Sequence, residues 1–304
     1  MQKRVVFMGT PDYADKILEA LIADKDIEVV ALFTQPDKPV GRKKVLTPPP
    51  TKLRAEASDI PIYQPQSLKK ENYELEIVAM EPDFIVVAAF GQILPQSILD
   101  IAPCINLHAS LLPAYRGASP IQQSLLEGDK QTGVTAMLMD VGMDTGDIIT
   151  METFDIPSDM LSFELFDALT EVAANLTLKV LHNFDSFSIQ AQDDSQATYC
   201  KKIQKSDGEV SFDSAEKLFN RYRAFTPWPG VYLKSGLKLK KMALANVNGH
   251  YEAGKILKIE KEFIEVGCQE GSLYIYAVQP ISKKEMEISS FLNGQRLDVN
   301  DYLA

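Results

Sequence analysis

The sequence predicts an α/β fold, an open parallel sheet with helices, followed by a small β-barrel. Three observations carry that prediction. Through the first part of the chain, short apolar runs alternate with helix-spaced segments, the pattern of βαβ units and hence of a parallel sheet. The run Phe84 to Ala88 is apolar without a break, as a strand covered on both faces requires. Beyond residue 205 the texture changes to short alternating runs at near-regular spacing, which indicates a barrel. The domains expected are therefore 1–187, a linker over 188–205, and 206–304.

Arg4 to Met8 reads as the first strand and ends in Gly9-Thr10-Pro11. A helix follows with Ile17, Leu18, Leu21 and Ile22 on one face, and Ile27 to Thr34 is the second strand. A lone Gly-Thr-Pro is not GxGxxG, so no dinucleotide is inferred. Gln35 to Thr51 is too long, too basic and too rich in Pro and Gly for an ordinary βα connection. Such a segment is most often a solvated loop, and its composition predicts no fixed order in the free protein. Residues 36–54 nonetheless gather Lys38, Arg42, Lys43, Lys44, Lys52 and Arg54 against Asp37 alone, a footprint suited to phosphates.

Helices are predicted near Lys52 to Ala57 and over Glu71 to Met80, the second stopped by Pro82. The strand Phe84 to Ala88 runs into Phe90-Gly91-Gln92-Ile93-Leu94. That position, beyond a carboxyl strand end, is where open α/β sheets bind ligands. Ile105 to Leu107 is another strand, followed by the loop Ser110-Leu111-Leu112-Pro113. Ser119 caps a helix that begins at Pro120, and Arg116 before it suits a surface salt bridge or a contact to substrate. Thr132 to Met139 is a strand ending in the turn 140–147, and Asp147 opens a strand to Ile156. Leu165, Leu169, Val172, Leu176 and Val180 mark a long amphipathic helix over Leu161 to Phe184, with His182 as an ordinary residue near its end. Residues 186–204 are polar and without period. Strand-like runs follow at 209–212, 230–233, 237–244, 254–259, 263–267 and 272–278, interrupted by a helix near Ser214 to Phe225. Lys234, Lys238, Lys240 and Lys241 give the second domain a basic face.

The net charge of −11 argues against a general affinity for nucleic acid, but it is unevenly spread. Residues 1–200 hold 15 Lys and Arg against 29 Asp and Glu, whereas residues 201–304 hold 16 against 13. Local clusters set a phosphate footprint, so the acidic remainder only limits non-specific binding. Three widely spaced cysteines without a CxxC pair argue against a disulfide framework or zinc site and fit a reducing compartment. No apolar segment reaches the length of a signal or a membrane span. A cytoplasmic, metal-free protein is expected, and its acidic surface fits a monomer.

Three polar groups lack a structural reason to exist. Asn106 and His108 sit at i and i+2, so a strand directs both to one face. Asp144 lies in the Gly-rich turn Val141-Gly142-Met143-Asp144-Thr145-Gly146. Alone, a His at a strand end or an Asp between glycines serves structure more often than catalysis. Together, an imidazole, an amide and a carboxylate can perform acyl-type transfer. The His moves a proton, the Asn donates to a developing oxyanion, and the Asp orients the His.

Asn-x-His followed by Ser-Leu-Leu-Pro and the Gly-rich Asp turn resembles the folate-dependent formyltransferases, and with Gly9-Thr10-Pro11-Asp12 and the Gly41-Arg42-Lys43-Lys44 context, those of the tRNA type. The likeness extends over nearly the whole chain. It implies a Rossmann-like catalytic domain and an OB-like barrel. The implied reaction takes a formyl group from 10-formyltetrahydrofolate to the α-amine of initiator methionyl-tRNA, with Asn106, His108 and Asp144 catalytic. By the same resemblance, Phe90, Gly91, Ile93, Leu94, Ser110, Leu111, Leu112, Pro113, Asp140, Val141 and Gly142 line the folate site. Lys38, Arg42, Lys43 and Lys44 contact tRNA. An amino-sugar acceptor, a formyl-folate hydrolase or a non-catalytic RNA-binding protein are the competing readings; the basic arm argues against the first two and the intact polar triad against the third. A nucleotide-dependent oxidoreductase lacks its fingerprint.

Overall fold

The computed structural model describes residues 2–41 and 43–303. Two compact units emerge, one from 1–120, 131–155 and 166–200, the other from 121–130, 156–165 and 201–304. In chain order the elements are β1 (Lys3–Gly9), α1 (Asp12–Ala23), β2 (Ile27–Phe33), β3 (Lys38–Val40), β4 (Val45–Thr47), α2 (Pro50–Ala57), β5 (Ile62–Tyr63), α3 (Glu74–Ala79), β6 (Phe84–Ala88), α4 (Gln96–Leu99), β7 (Cys104–His108), β8 (Arg116–Gly117), α5 (Pro120–Glu127), β9 (Gln131–Leu138), β10 (Ile148–Asp155), α6 (Ser162–Asn183) and β11 (Tyr199–Cys200). They continue with α7 (Ala215–Phe225), β12 (Val231–Tyr232), β13 (Lys238–Asn246), β14 (Ile256–Ile259), β15 (Ile264–Gly267), β16 (Ser272–Gln279), β17 (Met286–Glu287) and α8 (Ile288–Gln295).

The first unit is built on a seven-stranded sheet in the order β10-β9-β7-β6-β1-β2-β5. From β7 to β5 all neighbours are parallel. The sheet is not parallel throughout, because β9 runs antiparallel to β7 and β10 antiparallel to β9. The single turn 139–147 joins β9 to β10, too short for a crossover, so the two strands can only pair antiparallel. All five residues of β6 are buried, which explains its unbroken apolar run. Gly9 closes β1 where α1 comes close: a Cβ there would lie 2.5 Å from Ala14 Cβ. Glycine at this point serves close packing of helix on strand, with no phosphate loop involved.

On α6, Leu165, Leu169, Leu176 and Val180 are buried as the period predicts, but Ala173 takes the buried place expected of Val172. The Thr170 and Thr177 hydroxyls donate back to the carbonyls of Phe166 and Ala173, so two polar residues stay in the helix at no hydrogen-bond cost. His182 at its end pairs with Asp24 at 2.8 Å. Among the described residues no helix is long and apolar enough to cross a membrane.

The second unit carries an antiparallel sheet in the order β12-β13-β16-β15-β14, with β17 also on β16. Of the runs expected there, 209–212 forms only an isolated bridge, Glu209 to Tyr232. The tail from Ile288 is helical.

Two stretches depart from their sequence reading. The basic arm, expected without order, pairs β3 with β4 antiparallel, matching Val40 with Val45. Its β-branched residues favour a strand, and Gly41 at φ +71° and Lys44 at φ +49° supply left-handed turn residues. Residues 190–200, expected within a linker, are bonded into the first unit: Gln190 bridges Ile148 and β11 pairs with β8. Side-chain and short backbone bonds hold that stretch, and neither leaves a period in sequence.

Candidate functional site

Antiparallel pairing sets Asn106 opposite Met137 and His108 opposite Thr135. In that register the end of β9 meets the amino end of β7, with Leu138 opposite Ile105, so the turn that leaves β9 folds back along β7 to bring Asp144 to Asn106 and His108. Asp144 sits in that turn at φ +56°, a left-handed conformation costly for a residue with a Cβ. Its Oδ1 lies 3.4 Å from Asn106 Nδ2, and its Oδ2 lies 3.7 Å from His108 Nδ1. The three side chains predicted from spacing do converge.

Their orienting partners differ from the prediction. Asp144 was expected to orient His108, but 3.7 Å is too long for a hydrogen bond. The ring is instead held by the Tyr115 carbonyl, 2.9 Å from Nε2. A carbonyl only accepts, so Nε2 carries hydrogen there, and Nδ1 is the ring nitrogen left facing the carboxylate. Asp144 in turn accepts from the Gly117 amide at 2.8 Å through Oδ2. Backbone groups of Tyr115 and Gly117 thus aim two of the three side chains, and a reading of side-chain types has no signal for either.

Arg116, between them, makes an ion pair, to the exposed Asp194, but is itself buried at 1% exposure rather than on the surface. Its guanidinium donates to Gln192 Oε1 at 3.1 and 2.8 Å and to Asp194 at 2.8 Å. Cys200 donates to Tyr115 O and accepts from the Ser119 amide. Burial foremost, with Asp144 nearby, pushes its thiol above the ordinary cysteine value, so it sits beside the site as a neutral donor and not as a nucleophile.

The expected folate residues fall into two groups. Phe90, Leu94 and Leu112 are each 2% exposed, and Ser110 is fully buried. Phe90 and Leu94 belong to the core that supports β6. Ile93 and Val141 are two-thirds exposed, as is the neighbouring Met143, and Gly91 and Gly142 are exposed; Leu111 and Pro113 are half-buried. Open apolar side chains of this kind can receive a flat heterocycle, while the buried ones shape the loops behind them. Asp140 folds on its own turn, taking Gly142 N at 2.9 Å and Thr145 Oγ1 at 2.7 Å. The Ser110–Pro113 loop is pinned to β9 by Thr135, whose hydroxyl donates to Ser110 O at 2.7 Å and accepts from Leu112 N at 3.0 Å. Among the described residues no group of three or more His, Cys, Asp or Glu could hold a metal ion.

In the arm, not all cations are available to a ligand. Lys52 pairs with Asp37, and Arg54 with Asp15 and Glu19. Donation from Gln64, then from Lys52, holds the Asp37 carboxyl below its usual range. Lys38, Lys43 and Lys44 are exposed, with no carboxylate partner among the described residues. Arg42 lies outside the described residues. In the second unit Lys240 pairs with Glu285, and Lys241 lies over the Tyr276 ring.

Comparison with known proteins adds an independent line. The family described as "Formyl transferase" matches residues 3–181, and "Formyl transferase, C-terminal domain" matches 202–296. A methionyl-tRNA formyltransferase of Sulfurimonas denitrificans is 57% identical over 99% of this chain and 100% of its own length. That of Nitratiruptor sp. is 55% identical over 98% and 99%. Among solved structures, an N-formyltransferase from Helicobacter canadensis, crystallised with folinic acid and dTDP-3-aminofucose, superposes with a TM-score of 0.69. It is 18% identical and covers 91% of this chain and 99% of its own, a likeness of fold.

Replacing Thr135 with Val keeps its shape but strips both bonds from the Ser110–Pro113 loop. Leaving a buried carbonyl and amide unpaired is expected to cost about 1–3 kcal/mol, read as a lower urea midpoint at unchanged m-value. An unchanged midpoint would mean the loop does not depend on Thr135.

Proposed function

The chain belongs to the methionyl-tRNA formyltransferases of the formyl transferase family, and from that membership we propose that Asn106, His108 and Asp144 carry the transfer of a formyl group from 10-formyltetrahydrofolate to the α-amine of initiator methionyl-tRNA. The observation that supports these roles most strongly is the meeting of amide, imidazole and carboxylate around Asp144, within 3.4 and 3.7 Å.

The neutral amine attacks the formyl carbon, and the formyl oxygen takes up negative charge. Asn106 Nδ2 has two hydrogens, of which at most one faces Asp144, so the other is free to donate to that oxyanion. The attacking nitrogen must then lose a proton. With Nε2–H committed to Tyr115, His108 Nδ1 is the ring atom that receives it, and the Asp144 carboxylate steadies the resulting imidazolium. Collapse of the tetrahedral species breaks the bond to N10, which takes up the same proton, so the products are formylated amine and tetrahydrofolate. The contacts of 3.4 and 3.7 Å are expected to shorten around substrate.

The exposed Ile93, Gly91, Val141 and Gly142 and the half-buried Leu111 and Pro113 are assigned to the folate, with Phe90, Leu94, Ser110, Leu112 and Asp140 shaping the loops that present them. Lys38, Arg42, Lys43 and Lys44 are assigned to tRNA phosphates, supported by the lack of carboxylate partners for the three described lysines. Residues 1–187 are taken as the catalytic domain, and 206–304 as a second tRNA surface. Three buried, unpaired cysteines support a reducing, cytoplasmic setting, and the protein is taken to act as a monomer.

Asn106→Ala and His108→Ala are each expected to lower kcat roughly a hundred- to thousandfold, the usual cost of about 3–4 kcal/mol for a lost oxyanion donor and comparable for a lost general base. A His108→Ala enzyme turning over near the wild-type rate would contradict the scheme, as would transfer to free methionine or an amino sugar in preference to the charged tRNA. For the arm, Lys43→Ala and Lys44→Ala should each flatten the dependence of log Kd for tRNA on log salt by about one. An unaltered slope would remove the arm from the tRNA interface.

A further inference from the structure

The turn that carries Asp144 depends on a side chain from the aperiodic stretch after α6. Gln192 arrives there with every capacity of its amide in use. Its Oε1 accepts from Arg116 Nε at 3.1 Å and Nη2 at 2.8 Å. Its Nε2 donates to the carbonyls of Asp144, at 2.9 Å, and Gly146, at 2.7 Å. Chemistry fixes the orientation. Guanidinium nitrogens only donate and peptide carbonyls only accept, so a reversed amide would set donor against donor and acceptor against acceptor.

Both ends of this link matter. Arg116, at the far end, is 1% exposed and anchored again by Asp194, so it offers a fixed support. At the near end, Asp144 occupies a left-handed backbone conformation, which for a non-glycine residue persists only where surrounding contacts over-determine it. Gly146 tightens the same turn, since a Cβ there would lie 1.8 Å from the Leu138 carbonyl oxygen. Gln192 holds the Asp144 peptide while the Gly117 amide holds its carboxylate.

We propose that Gln192 is a positioning residue for Asp144: it ties the turn 144–146 to buried Arg116 and so keeps the Asp144 carboxylate facing His108 Nδ1 and Asn106 Nδ2. The assignment rests on the catalytic reading of Asp144 given above. Without the Gln192 donors two turn carbonyls lose their partner and the backbone relaxes toward commoner torsions, carrying the carboxylate off its target. A misplacement of about 1 Å costs on the order of a hundredfold in rate. The Gln192 amide is filled by protein groups, so substrate affinity stays as it was. Glutamate at this position separates the two halves of the role: it still accepts from Arg116, but sets an oxygen against the two carbonyls.

The test measures formyl transfer from 10-formyltetrahydrofolate to methionyl-tRNA by Gln192→Ala, Gln192→Glu, Asp144→Ala and the double variant Gln192→Ala/Asp144→Ala, with thermal melts of each. Both Gln192 variants are expected to lose about a hundredfold in kcat with little change in either KM. Gln192→Glu should do no better than Gln192→Ala, and Gln192→Ala should cost nothing further on the Asp144→Ala background. Wild-type kcat in either Gln192 variant overturns the proposal. So does a loss that falls in KM, or an equal loss on both backgrounds, which marks a purely structural role. If Gln192→Ala fails to melt cooperatively, Gln192→Glu, which keeps the partner of Arg116, decides. Wild-type kcat in Asp144→Ala overturns the catalytic reading itself, whatever Gln192 does.

Discussion

The Gly117 amide donates to the Asp144 carboxylate at 2.8 Å, and the candidate site takes its shape from that bond. Gly117 is fixed in β8 against β11, Asp144 lies in the turn after β9, and Asn106 and His108 end β7. One carboxylate thus gathers three chain segments far apart in sequence. A carboxylate so placed gains from each donor, but its burial is tolerable only while the donors stay in place. That accounts for the extra backbone contacts. Tyr115 holds the imidazole, Gln192 holds the turn, and Thr135 fixes the neighbouring loop to the same strand.

Much of the fold was legible because apolar period reports burial. β6 and α6 were plain, one from an unbroken apolar run and the other from six turns of helical spacing. Antiparallel pairing at the β9 edge was not, since period tells burial and not strand direction. The hairpin in the basic arm was also hidden. Its Pro, Gly and Lys content suggests a mobile loop, yet Val40, Val45 and Thr47 suffice for a two-stranded ribbon around Gly41.

The candidate trio was legible for one local reason: the i, i+2 spacing of Asn106 and His108 on a strand, beside a conspicuous Asp in a glycine turn. What surrounds the trio was not. Gln192 lies in a polar stretch indistinguishable from a tether, and its value comes from four bonds across at least 46 residues of separation. Arg116 looked like a surface residue because nothing local announces that Gln192 and Asp194 will enclose it. In the arm, sequence could count cations but not subtract Lys52 and Arg54, whose acidic partners come from Asp37 and from α1.

The most direct test of the account is a single-turnover measurement on Asp144→Asn, with substrate affinities determined alongside. The amide keeps the size and an acceptor for Gly117 but removes the charge that faces His108. The account predicts that both substrates bind as before while the transfer step slows on the order of a hundredfold or more. A normal transfer rate, or a defect confined to binding, would contradict it.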